Sequence, residues 1–325
     1  MSKRKGNKAG GQRSAYYLIA SLLLFAAVYV TTSVVNNCAG GKDSAESKWN
    51  KVNADDSYVT GSSAEGTKSI SPEQAEMEYQ NTDAPGHGLS QVVYENLEQP
   101  AQMVGKPEML LMKTAFVISY NVNTMCPNYV AWRLTPQRVE GSVKRKDEFA
   151  EDMSMGESTR LTSADYAGSG YDRGHMCPAG DNKHDAKAMN ESFLMTNVCP
   201  QNHNLNKGDW NELEQQCRQW AADYGDLYIV CGPIFDSKNP AKIGRRKKMK
   251  VSVPDRFFKV VLSMGEHPKA IGFVYPNQAT SREMRSYCVS VDDVEKATGI
   301  DFYPELPDDT ENRVERACNP AAWGI

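Results

Sequence analysis

The chain has no excess of positive charge and none of the short cysteine spacings that classify a protein at a glance. Its 37 Lys and Arg are outnumbered by 41 Asp and Glu, for a formal net charge of −4. That excludes a protein that holds nucleic acid through a broadly basic surface, so any polyanion contact must come from local patches. No two cysteines are spaced C-x-x-C, which removes zinc ribbons and dithiol redox motifs. No internal repeat is present, which removes solenoid and propeller architectures.

Two N-terminal segments are defined by what they omit. Residues 15–35, AYYLIASLLLFAAVYVTTSVV, contain no charged side chain and follow Lys3, Arg4, Lys5, Lys8 and Arg13. At about 1.5 Å per residue, a helix of this length crosses a ~30 Å hydrocarbon core. The basic flank of residues 1–14 is expected on the cytoplasmic side, which exports everything after residue 35. A cleaved signal peptide is the alternative. The apolar run exceeds the usual ~7–15 residues of such a segment, and no A-x-A site follows it. A lipid-modified Cys38 is a third option, for which Asn36 and Asn37 are a poor upstream match. All three readings place the remainder outside the cytoplasm. Residues 36–88 have few bulky apolar side chains and read as a disordered tether.

Five basic and no acidic residues fall in the first 35 positions, and the tether holds four Lys against nine acids. The body, residues 89–325, therefore keeps a charge of −4. Its clearest positive patch is Gly244-Arg245-Arg246-Lys247-Lys248-Met249-Lys250, which as an isolated feature is a solvated loop. Of eight cysteines, Cys126, Cys177, Cys199, Cys217, Cys231, Cys288 and Cys318 lie in the body. In an oxidising compartment they are candidate disulfides, with an odd thiol left over. A Cys177–Cys199 bond would tie two polar segments together, and Cys217–Cys231 would join a helix to the next strand.

The body reads as one α+β domain. TAFVISYN (114–121) and NYVAWRLT (128–135) predict a β-hairpin, and 226–232, 253–263 and 269–277 predict further strands. From Asp209, the residues Trp210, Leu213, Cys217, Trp220, Ala221 and Tyr224 recur at helical spacing, and Gly225 ends the run. Trp210 and Trp220 belong to a core stripe.

Residues 168–181, GSGYDRGHMCPAGD, crowd Asp172, Arg173 and His175 into a glycine-rich stretch. Alone this is a surface turn. A second polar stretch, TNVCPQNHNLNKGDWNELE (196–214), leads into the long helix. Within it Asn206 reads as a helix cap and Glu214 as a solvated helix residue, about 12 Å further along the axis. His184 and His203, with Cys177 and Cys199, match no common zinc spacing.

Together, YDRGHMCPAGD and SFLMTNVCPQNHNLNKGDWNELE resemble the DNA/RNA non-specific endonucleases, the endonuclease G-like family with a ββα-metal core. The likeness includes the DRGH run, the T-N-x-x-P-Q box, Asn206 nine residues after Asn197, Trp210 four further on, and the following Leu213-Glu214. VPDRFFKVVL, KAIGFVYPN and VSVDDVEKATGIDFYPEL share the family's look, so the resemblance covers roughly residues 100–310.

The resemblance implies a ββα-metal (His-Me finger) core in a mixed, mainly antiparallel sheet flanked by helices, behind the N-terminal transmembrane segment. It implies metal-dependent hydrolysis of phosphodiester bonds in both DNA and RNA, leaving 5′-phosphate ends. By position, His175 would be the general base and Asn206 the one direct ligand of Mg²⁺, with Mn²⁺ the alternative. Glu214 would hold water of the ion's hydration shell, Arg173 would grip the scissile phosphate, and Asn197 would orient site groups. Asp172 would anchor the loop, and Cys288–Cys318 would pair as in the family. One departure stands out. The family's hairpin arginine, before a W-V-A-like segment, aligns with Met125, and Arg133 or the 245–250 cluster would have to compensate. That gap leaves a non-catalytic, membrane-anchored nucleic-acid-binding protein for DNA capture as the rival reading. A phosphodiesterase acting on another diester is a third.

Overall fold

A computed structural model describes residues 96–325 apart from positions 248, 266 and 281. The basic tail, the apolar segment 15–35, the tether 36–88 and Cys38 lie outside the described residues. Among the described residues no helix is long and apolar enough to cross a membrane.

The chain opens with strands β1 (Met109–Met112), β2 (Val117–Asn121) and β3 (Cys126–Leu134), followed by helix α1 (Pro136–Glu140). After a long irregular stretch come β4 (Asp172–His175), α2 (Ala186–Ser192), β5 (Val198–Gln201), α3 (His203–Lys207) and α4 (Asp209–Tyr224). Then follow β6 (Leu227–Ile234), β7 (Lys242–Ile243), β8 (Val251–Ser252), β9 (Arg256–Ser263) and β10 (Lys269–Pro276). The chain closes with β11 (Cys288–Val289), α5 (Val291–Thr298) and α6 (Asp308–Arg316).

Seven strands form one sheet in the order β1-β2-β3-β6-β9-β10-β11, and every pairing in it is antiparallel. The expected mixed character is therefore confined to an isolated parallel bridge between Ala150 and Leu194. The hairpin β2–β3, strands β6, β9 and β10, and helix α4 fall where hydrophobic patterning puts them. Strands β6 (LYIVCGPI) and β9 (RFFKVVLS) lack alternation because both of their faces are covered.

Alternate residues of β9 enter two separate cores. Phe257 and Val261 pack with Trp132, Trp210, Leu213 and Cys217 under α4. Phe258, Val260 and Leu262 pack with Val291, Val294 and Val314 under α5 and α6. Because side chains alternate along a strand, Lys259 falls on the α4 face, where its ammonium sits over the Trp132 and Trp210 rings at 5.0 and 4.6 Å.

The described cysteines are free thiols, which corrects the three expected disulfides. Several of the sulfurs have other polar contacts. Cys177 accepts from the Asn182 amide at 3.4 Å, while Cys199 faces Cys126. Cys231 donates to the Met176 carbonyl at 3.3 Å, and Cys288 makes a long contact to the Met284 carbonyl at 3.8 Å. The five fully buried thiols are small core residues, a role common for free cysteine.

Candidate active site

The DRGH run is a strand, paired antiparallel with the T-N-x-x-P-Q box: Asp172 opposes Gln201, Gly174 opposes Cys199 and His175 opposes Val198. Gly174 is required by this pairing. A Cβ there would lie 2.1 Å from the Gln201 side-chain oxygen. Alternation along β4 sends Arg173 and His175 to one face and Asp172 to the other.

On the first face the His175 ring is held between Phe149 (centroids 5.0 Å) and Phe193 (4.9 Å, edge-on). Neither ring nitrogen has a hydrogen-bond partner among the described residues, and Nε2 is buried. Desolvation pushes the imidazole pKa down to about 3, and the charges of Arg145 and Arg173 push the same way against the opposing charge of Asp147. The ring is therefore neutral across the physiological range, with its lone pair uncommitted. Arg173 lies over the Phe149 ring at 4.7 Å and donates to the Ser163 hydroxyl from one arm, leaving its other N–H groups available.

The segment carrying Phe149 is pinned by backbone bonds. Ala150 N–H donates to the Phe193 carbonyl (3.1 Å), and Met195 N–H donates to the Ala150 carbonyl (2.9 Å). Phe149, Phe193, Lys146, Ser163 and Asn190 line a pocket beside His175. The same segment brings in Arg145, a residue that sequence patterning did not single out. Its guanidinium lies over the Phe193 ring at 5.3 Å and pairs with Asp147. Its charge reaches both His175 and Glu214.

On the second face the Asp172 carboxylate accepts from the Asn206 side-chain amide at 2.9 Å and contacts His203 Nδ1 at 3.0 Å. Asp172 thus does more than anchor a loop: it sets the orientation of Asn206. With Nδ2 committed, Asn206 Oδ1 accepts from no described residue, a bare hard oxygen suited to a divalent cation. Asp172→Asn is expected to weaken divalent-cation binding by about 10–100-fold, the usual cost of losing such an outer-shell partner. A cation-binding titration of parent and variant checks it.

Asn206 and Glu214 do not share one helix, as patterning had suggested. Gly208, at φ −95° and ψ −114°, breaks the path between α3 and α4. A Cβ at 208 would lie 2.7 Å from the Asn204 carbonyl oxygen, so the break depends on glycine. Asn202 caps α3, and Asn206 is left free for the site.

Glu214 is half-buried rather than solvated. Burial pushes its pKa up to about 7, against the opposing pull of Lys259 and Arg218. Arg218 lies one turn further along α4 and donates to Asp181 at 2.9 Å, and Asp181 also accepts from the Trp132 indole at 3.1 Å. A carboxyl whose folded pKa lies above its ordinary value favours folding below that ordinary value. The contribution is lost as pH rises through about 7. Glu214→Gln removes this loss, so in EDTA it is expected to raise Tm more at pH 8 than at pH 5. Thermal melts at the two pH values measure it.

Asn197 is fully buried and its amide is saturated. Its Oδ1 accepts from Cys177 N–H (3.0 Å), and its Nδ2 donates to the Cys177 and Ser192 carbonyls (both 2.8 Å). It fixes the backbone just past His175 and presents nothing to a substrate. Arg133, considered as compensation for Met125, pairs with Asp226 and faces the Tyr228 ring, on the sheet face opposite Trp132. Met125 is a buried turn residue with φ 56°. Of the basic cluster, Arg246 is tied to Asp165 and Lys250 to the Gly244 carbonyl. A cation that does reach His175, besides Arg173, is Arg145.

Comparison with known proteins gives the family of the chain. The sequence profile described as "DNA/RNA non-specific endonuclease" matches residues 96–309. The chain is 36% identical over 206 residues to "Nuclease EXOG, mitochondrial" of Danio rerio, covering 59% of this chain and 60% of that protein. It is 33% identical over 215 residues to "Endonuclease G, mitochondrial" of Homo sapiens (62% of this chain, 72% of that one). "Nuclease C1" of Cunninghamella echinulata var. echinulata is 34% identical over 216 residues, with 62% and 85% covered. The match thus spans about three fifths of the length of the zebrafish EXOG relative. A solved structure of an EndoG/EndoGI complex superposes with a TM-score of 0.58 at 28% identity, covering 63% of this chain and 91% of that one. With the family profile spanning most of the described residues, the chain belongs to the DNA/RNA non-specific endonuclease family.

Proposed function

We propose that this protein is a divalent-cation-dependent endonuclease that hydrolyses phosphodiester bonds in DNA and RNA and leaves 5′-phosphate ends. The observation that carries the reading is the neutral, uncommitted imidazole of His175 flanked by Arg173 and Arg145. A ring nitrogen of His175 takes a proton from the attacking water, a role suited to a neutral imidazole. Arg173 and Arg145 hold the phosphate oxygens as negative charge builds on them. Asn206 Oδ1, oriented by Asp172, fits a hard cation, and Mg²⁺ is the one we assign. Such an ion supplies neutralisation of the phosphate and stabilisation of the leaving 3′-oxygen. Glu214 positions water on the α4 side, and Asn197 keeps the His175 strand in register. None of these contacts requires a 2′-hydroxyl or a base edge, which supports cleavage of both polymers with weak sequence preference.

We further infer that residues 15–35 anchor the enzyme in a membrane with the nuclease domain exported. The test of the activity uses the full-length chain on supercoiled plasmid and on single-stranded RNA with Mg²⁺. Nicked and linear plasmid, RNA fragments, and ends that accept label from kinase only after phosphatase treatment are expected. Exonucleolytic shortening without nicking, or ends labelled directly by kinase, would contradict it.

A further inference from the structure

Helices α5 and α6 cover the sheet face opposite α4, and a second group of acidic side chains meets between them. Asp292 and Glu295 are three residues apart on α5 and so share one of its faces. Glu315 lies in the last turn of α6. One carboxylate oxygen from each of the three lies within 4.8 Å of the others. Oxygens bound to a common Ca²⁺ at about 2.4 Å can be no more than about 4.8 Å apart, and the three meet that spacing limit.

Glu315 makes this more than a collection of surface acids. It is 6% exposed, and its Oε1 is buried without a hydrogen-bond partner among the described residues. The charged groups acting on it are Glu295, Glu311, Asp292 and Asp301, all of the same sign. Glu295 Oε1 accepts from Phe302 N–H at 2.8 Å. The cation acting on Glu295, Lys296, is exposed and bonded to Asp293 at 3.1 Å. A buried carboxylate with neither donor nor counter-charge is costly unless something compensates it.

We propose that Asp292, Glu295 and Glu315 bind one Ca²⁺ that clamps α6 to α5, separate from the catalytic site. The donor set selects the ion. With no Cys or His among the three, softer metals have no preferred ligand. Mg²⁺ usually keeps most of its water and takes one or two carboxylates, whereas three converging carboxylates suit the larger and more flexible sphere of Ca²⁺. Burial with the four neighbouring carboxylates pushes Glu315 up to about 9, and burial with Asp301, Glu295 and Asp308 takes Glu311 to about 7. A bound dication reverses that electrostatic situation. The two helices pack through Val291, Val294 and Val314, away from His175, so the ion would stabilise the domain without touching substrate.

The test compares the full-length chain with Glu315→Gln and, should that variant fold poorly, Asp292→Asn. Equilibrium dialysis against radioactive Ca²⁺ should show one ion more per chain in the parent than in either variant. At Ca²⁺ a hundredfold above its Kd, the parent Tm should rise by about 5–10 °C. The variants should show little or none of that rise, and in EDTA Glu315→Gln should melt above the parent. Equal Ca²⁺ stoichiometry in parent and variants would overturn the proposal. So would a parent Tm that ignores Ca²⁺ and rises only on acidification, which would mean that the cluster stores a proton instead of an ion.

Discussion

His175→Ala is expected to lower the cleavage rate by about 10²–10⁴-fold, the range supplied by a positioned general base. The loss should appear in kcat, with KM for plasmid nearly unchanged, because the phosphate contacts proposed for Arg173 and Arg145 are left in place. Two aromatic rings enclose the imidazole, so truncation opens a void next to Phe149 and Phe193. His175→Asn fills that space without offering a proton acceptor of useful basicity. If both variants keep the parent's Tm within a few degrees and lose activity together, packing is excluded as the cause. A variant that retained a tenth of the parent rate would remove His175 from the chemistry.

The second large effect is expected at Arg145, not at Arg133 or Met125. Arg145→Ala should lower kcat by about 10²–10³-fold, the scale seen when one donor to a transition-state oxyanion is removed. Arg145→Lys should recover part of this, since the charge returns without the planar fork. Arg133→Ala serves as the control. Its guanidinium is occupied by Asp226 on the other sheet face, and a half-exposed pair of that kind is worth about 1 kcal/mol of stability or less. Steady-state rates of the three variants, measured side by side, decide whether the cation that matters comes from the 141–171 stretch.

These two sites also show what sequence patterning reaches and what it does not. His175, Arg173, Asn206 and Glu214 could be named through the family resemblance of two motif-dense stretches, whereas patterning alone read Asn206 as a helix cap and Glu214 as a solvated residue. Strands β6, β9 and β10 and helix α4 were legible from apolar runs and from the Trp210-to-Tyr224 stripe. Arg145 carried no such signal. It lies in an irregular segment whose position is set by backbone bonds between Ala150 and the Phe193–Met195 turn, contacts more than 40 residues apart in sequence. Lys259 was hidden for the opposite reason. In RFFKVVLS it looks like a solvent-facing interruption, yet two covered sheet faces leave it buried between indoles. The split between α3 and α4 depended on one glycine in an otherwise helical run, a local backbone effect that periodicity averages away. Cysteine count pointed to disulfides, whereas five of the thiols fill the core, and only their side-chain directions reveal it. The carboxylates of Asp292, Glu295 and Glu315 carry no motif, and only the packing of α6 on α5 brings them together and buries one of them.

The most direct measurement of the central claim is the rate of plasmid nicking by the full-length chain across a Mg²⁺ titration, alongside His175→Ala, each with an EDTA arm. The parent should nick in proportion to cation occupancy and fall silent in EDTA. The variant should stay at least a hundredfold slower at every Mg²⁺ concentration. Nicking that persists in EDTA, or a His175→Ala rate that follows the parent's, would contradict an endonuclease built on this imidazole and a cation at Asn206.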